Sequence, residues 1–197
     1  GLAFLVEYLD TSVKSIGDIE AALGIPVLAV IPRDVAILKD APKDSPSAEG
    51  YRILRANIEF KKPRPDANTL TVVSGSAGEG KSTTLNNLAF TFAKGKYRTL
   101  IVDADLRRPT QHRFFRVSNA RGLTDHLLNN VPWQGLIQET HVPNLFLLPS
   151  GRLPDDEVGI LNSPRMFDFI NAVKKEFDMV LFDSPPVLIV SDASVIA

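Results

Sequence analysis

The chain has 197 residues, 44% hydrophobic and 23% charged, with a formal net charge of −1 and no cysteine. That length supports one domain with a substantial core, and the near-neutral charge supplies no basic field for nucleic acid. The lack of cysteine excludes disulfides and thiolate metal sites and fits a reducing compartment, while no apolar run reaches the ~20 residues that span a bilayer.

The chain opens in mid-pattern on GLAFLVEYLD, without a starting methionine, and stops at DASVIA; both ends are expected to be cuts. Within residues 1–24, Ser15 and Asp18 have capping-box spacing and Gly24 sits where a helix C′ glycine belongs. VLAVIP (27–32) reads as a short buried strand stopped by Pro32. KDAPKDSPSA (39–48) reads as a surface loop or linker. AEGYRILRANIEF (48–60) reads as a helix with Tyr51, Leu54 and Ile58 on its apolar face. KKPRPDAN (61–68) breaks the pattern.

From residue 70 strands and helices alternate. LTVVSG (70–75), RTLIVDAD (98–105), NLFLLPSG (144–151) and DMVLFDSPP (178–186) read as strands. KSTTLNNLAFTFAKG (81–95), GLTDHLLNN (122–130) and SPRMFDFINAVKKEF (163–177) read as helices. Strands apolar throughout, alternating with helices, imply an α/β fold: a mostly parallel sheet covered by helices on both faces.

GSAGEGKS (75–82) matches the phosphate-loop pattern G-x-x-x-x-G-K-[ST], with a strand before it and a helix after. Its backbone amides and the helix start suit an anion. The candidate nucleotide-binding residues are Ser76, Ala77, Gly78, Glu79, Gly80, Lys81, Ser82 and Thr83. Lys81 is expected to reach the β- and γ-phosphates of ATP, and Ser82 to offer its hydroxyl to Mg²⁺. Asp183 ends an apolar strand, where a Walker-B carboxylate holds Mg²⁺.

LIVDADLRRP (100–109) places Asp103 and Asp105 at another strand end. Buried carboxylates need a partner, and parallel strands present their C-terminal ends to one ligand site. At least one of the two is therefore expected near Mg²⁺ or an acceptor hydroxyl. The plainer alternative is a surface pair of Asp105 with Arg107 or Arg108.

Together these segments resemble the bacterial tyrosine autokinases, the cytoplasmic domains of polysaccharide co-polymerases. The resemblance rests on GEGKS (78–82), on IVDADLR as a Walker A′ motif and on DSPP as the end of Walker B. It also rests on Glu49, Arg52 and Arg55 as an E-x-x-R-x-x-R helix. It implies a P-loop NTPase fold of the MinD/ParA-like subclass, with residues 1–40 a juxtamembrane segment packed on a core of 41–197 truncated at its C-terminus.

It further implies an ATP- and Mg²⁺-dependent protein-tyrosine autokinase that phosphorylates C-terminal tyrosines of neighbouring subunits and controls capsule or exopolysaccharide export. Ser82, Asp103, Asp105 and Asp183 would share the metal, and Lys81, Asp103, Asp105 and Arg107 the chemistry. Asp103 is favoured for orienting or deprotonating the acceptor tyrosine, with Asp105 nearer the metal. Arg107 has two readings: stabilising the migrating phosphoryl group, or pairing with an aspartate. Glu49, Arg52 and Arg55 would close a ring-type homo-oligomer; a solvated charged face is the alternative. A transmembrane partner segment, in cis or in trans, would hold the ring at the cytoplasmic face of the inner membrane.

Two features depart from the family pattern. The three tyrosines, Tyr8, Tyr51 and Tyr97, all lie far from the C-terminus, and the chain stops before a further expected strand and helix. The rival readings are a MinD- or ParA-type ATPase, which would carry a signature lysine where Ser76 stands, and a nucleotide-sensing assembly module without kinase activity.

Overall fold

The computed structural model describes residues 15–32, 35, 37–38, 45–64, 66–76, 78–153 and 159–185. Helix α1 spans Ile16–Leu23, with the capping box between Ser15 and Asp18 formed and Gly24 left-handed at φ 66°. Helix α2 spans Pro46–Phe60 and starts two residues before the expected point. The reason is local: Ser45 accepts the Ala48 N–H, and Pro46, without an N–H of its own, stands at the first helical position. Most of the expected loop 39–48 lies outside the described residues.

Residues 27–32 do not form the expected strand. Their polar backbone groups go elsewhere: the Asn57 carboxamide on α2 donates to the Leu28 carbonyl at 2.6 Å, and the Val27 N–H donates to Glu20 at 2.8 Å. An apolar run of six residues cannot by itself distinguish a strand from an extended segment laid along a helix.

The sheet contains β1 (Thr69–Val72), β2 (Thr99–Asp103), β3 (Gln138–Glu139), β4 (Leu145–Leu148) and β5 (Met179–Asp183). Its order is β1-β5-β2-β4-β3, parallel except for β3 against β4. Alternate residues of one strand serve opposite cores, as the two-residue period requires. Leu100, Val102, Val180 and Phe182 pack with α6 (Pro164–Glu176) and α5 (Leu123–Asn129). Ile101, Met179 and Leu181 pack with α3 (Lys81–Lys94), against which Tyr51, Leu54 and Ile58 of α2 also rest. The expected two-sided covering is present. Three short elements lacked a periodic signal: α4 (Gln111–Phe115), a 3₁₀ turn at Trp133–Leu136, and β3.

One consequence positions the site. β5 lies between β1 and β2, so Asp183 ends beside both the loop that follows β1 and the end of β2. Asp103 and Asp183 are register partners. Ser184 donates to the Val72 carbonyl at 3.0 Å, tying the end of β5 to the start of the phosphate loop.

Candidate nucleotide and catalytic site

The loop after β1 turns into α3 through Gly78 at φ 87° and Gly80 at φ 85°, a left-handed conformation that side chains resist. Gly80 is the N-cap of α3 and supplies no side-chain cap, so the first amides of the helix are left for another acceptor. The Gly75 amide donates to the Glu79 carboxylate at 2.9 Å, which shows one loop N–H already satisfied by an anion. Ser76, Glu79 and Gly80 are exposed, Thr83 is half-buried, and Ala77 lies outside the described residues.

Lys81 and Ser82, the first two residues of α3, both reach Asp183. The Lys81 ammonium is hydrogen-bonded to Asp183 Oδ1, and the Ser82 hydroxyl donates to Asp183 Oδ2 at 3.0 Å. The same ammonium stands 4.0 Å from Asp105 Oδ2. Strand β2 ends at Asp103, and the chain then turns, with Asp105 Oδ1 accepting the Arg108 N–H at 3.0 Å. Asp105 thus faces Lys81 and caps a turn, while the side chains of Arg107 and Arg108 are exposed.

Asp103 is fully enclosed, 0% exposed. Its Oδ2 accepts the Gln111 N–H at 3.1 Å, and among the described residues its Oδ1 has no partner. Burial, reinforced by the Asp183 charge and opposed by the Gln111 hydrogen bond, pushes its carboxyl up to about 8. Near neutral pH it is therefore mostly protonated, which limits how much negative charge the enclosed cluster carries.

The sequence pattern missed Gln111. It opens α4, and besides its backbone bond to Asp103 its carboxamide donates to Asp183 Oδ2 at 2.6 Å. No motif marks a glutamine eight residues past a strand-end aspartate; only the fold brings it there.

The family described as an AAA domain matches residues 67–196. YwqD, a tyrosine-protein kinase of Bacillus subtilis (strain 168), is 38% identical over 150 residues, which are 76% of this chain and 63% of that protein. CapB of Staphylococcus aureus is 35% identical over 158 residues, 80% of this chain and 69% of CapB. The kinase domain of Escherichia coli tyrosine kinase ETK superposes with a TM-score of 0.85 at 27% identity, covering 94% of this chain and 78% of that domain. The chain belongs to the bacterial tyrosine kinases.

In this kinase-family chain the acidic groups fit a hard cation in chemistry. Oxygen donors from Ser82, Asp103, Asp105 and Asp183 suit Mg²⁺, and among the described residues one buried oxygen of Asp103 finds no partner. Among the described residues, no three carboxylate or histidine side chains are arranged to grip an ion by themselves. That suits Mg²⁺, which takes one or two carboxylates and completes its shell with waters and phosphate oxygens.

The E-x-x-R-x-x-R residues divide. Glu49 and Arg52 form an exposed pair at 2.7 Å. Arg55 is turned onto its own subunit: it donates to the Thr91 carbonyl at 3.1 Å, lies over the Phe92 and Tyr97 rings, and stands 3.6 Å from Glu59. Among the described residues no helix is long and apolar enough to cross a membrane.

Proposed function

We propose that this chain is the nucleotide-binding core of a protein-tyrosine kinase that moves the γ-phosphoryl group of ATP to tyrosine hydroxyls of neighbouring subunits. The observation that carries the reading is Lys81 against Asp183 and Asp105 at the ends of adjacent parallel strands, with the Ser82 hydroxyl on the same Asp183.

The amides of residues 78–83 and the Lys81 ammonium bind the phosphates. Ser82 and Asp183 would hold Mg²⁺. The bound ion would neutralise charge on the phosphates as the transition state spreads it over their oxygens. Lys81 has a double engagement: it neutralises Asp183 and Asp105 here, and its contact with phosphate must compete with them. Once it has lost its own proton, Asp103 accepts that of the tyrosine, its raised affinity for protons bringing it nearer to a phenol of pKa about 10. Being enclosed, it meets an acceptor hydroxyl only when neighbouring side chains withdraw. Asp105, less deeply buried than Asp103 and 4.0 Å from the Lys81 ammonium, would lie nearer the metal. Arg107, which is exposed, would stabilise the migrating phosphoryl group.

Exposed Glu49 and Arg52 support a subunit contact, one that completes a ring and presents one subunit's tyrosines to the next. A membrane-anchored co-polymerase segment would hold that ring at the cytoplasmic face of the inner membrane, where polysaccharide export is controlled.

The test is incubation with labelled ATP and Mg²⁺ and an added tyrosine-bearing tail peptide, probed for phosphotyrosine. Label on the peptide, abolished by Lys81→Met, is the expected result. Release of phosphate without peptide label would replace the kinase with a MinD-type ATPase. Nucleotide binding with neither product would leave a sensing module.

A further inference from the structure

We infer that Gln111 is a positioning residue that keeps Asp183 aimed at the Ser82 hydroxyl while Lys81 turns to phosphate; this rests on the nucleotide reading above. Among the described residues Asp183 has three partners on two oxygens. Lys81 takes Oδ1, while Ser82 and Gln111 share Oδ2. A lysine that binds phosphates must loosen its hold on Oδ1. Gln111 is the partner that has no other ligand to serve, so its carboxamide preserves the rotamer of Asp183.

The same residue reaches the neighbouring strand. Its backbone N–H holds Asp103 Oδ2 at 3.1 Å, so one residue fixes the acids that end β2 and β5. Two neutral donors separate two enclosed carboxylates without adding charge. A second lysine there would compete with the cation, and a carboxylate would repel its neighbours.

Gln111 is itself immobilised. It is fully buried, and the helix it opens is anchored four residues later by Phe115. The Phe115 ring packs 6.0 Å from Phe90 of α3 and 4.9 Å from Phe114. Because Phe90 lies on the helix that Lys81 and Ser82 begin, α3 and α4 hold Asp183 from two sides as one packed unit. Groups that orient a metal-holding carboxylate typically change metal affinity by about 10–100-fold when removed.

The experiment measures binding of a fluorescent ADP analogue to the full chain while Mg²⁺ is titrated, for wild type and Gln111→Met. Methionine keeps the volume and removes the donor. The expected result is a Mg²⁺ midpoint raised about tenfold, with nucleotide affinity in the absence of Mg²⁺ unchanged. An unchanged Mg²⁺ midpoint overturns the inference, including when the melting temperature falls, since that pattern marks a purely structural role. Should Gln111→Met not fold, Gln111→Asn, which shortens the reach by one methylene, is read by the same criteria. A wild-type chain that binds no nucleotide, with or without Mg²⁺, overturns the nucleotide reading itself, and so separates the two failures.

Discussion

Asp103 shows what one residue contributes at the expense of stability. Its carboxyl, pushed up to about 8 in the fold by burial and by Asp183, has an ordinary value of 3.8. Between those values the folded chain holds a proton that the unfolded chain has released. Stability from this group is therefore complete below the ordinary value and is lost as pH rises toward about 8. Wild type should melt at progressively lower temperature from pH 5 to pH 8, and Asp103→Asn should flatten that slope. At pH 8 the variant should melt a few degrees above wild type, about 2–4 °C per kcal/mol for a chain of this size. Parallel slopes in calorimetry would refute the assignment. The same variant should lose phosphoryl transfer by about 10²–10⁴-fold, the usual range for a proton acceptor. Lys81 and Ser82 were legible at this scale because a phosphate loop demands an ammonium and a hydroxyl at fixed spacing, and Asp183 because it is an acid at the end of an apolar strand. Gln111 was not, since a carboxamide carries no periodic or motif signal.

At the scale of elements, α2 and the β4 end each make a sharp prediction. Arg55 closes the C-terminal end of α3 through the Thr91 carbonyl and stacks on Phe92 and Tyr97. Tyr97 is drawn into the same cluster, its phenol raised first by a hydrogen bond to Glu59 and then by burial. Arg55→Ala should cost about 1–3 kcal/mol by losing a charged hydrogen bond and ring contacts. Arg52→Ala, whose ion pair is exposed, should stay within about 0.5 kcal/mol of wild type. Equal losses in chemical denaturation would contradict the division between them. Gly122 makes another close approach: a Cβ there would lie 2.1 Å from the Pro149 carbonyl oxygen and 2.4 Å from the Gly151 N–H nitrogen. Backbone on both sides cannot yield, so Gly122→Ala should destabilise by about 1–3 kcal/mol or more, with a lower urea midpoint as its measure. The helices of α2, α3 and α6 were legible from their apolar faces. The strand expected at 27–32 was not formed, because side chains of α1 and α2 satisfy backbone groups there. Helix α4 is five residues long, too short to show a 3.6-residue period.

For the whole molecule the question is assembly. If Glu49 and Arg52 join subunits, Arg52→Ala should reduce the mass seen by light scattering without lowering the melting temperature. An unchanged mass would leave these residues a solvated face. Arg55→Ala should act in the opposite sense, on melting before mass, because its partners belong to its own subunit.

The sequence alone determined the alternation of strand and helix, the two-sided sheet and the phosphate loop, because each is written in short-range period and spacing. It also brought Asp103, Asp105 and Asp183 forward as strand-end acids. Tertiary structure decided that β5 lies between β1 and β2, which joins Lys81, Ser82, Gln111 and the acids around one carboxylate. It decided the burial that raises Asp103 and the inward turn of Arg55. Strand order and burial depend on contacts between residues far apart in the chain, and no local pattern encodes them.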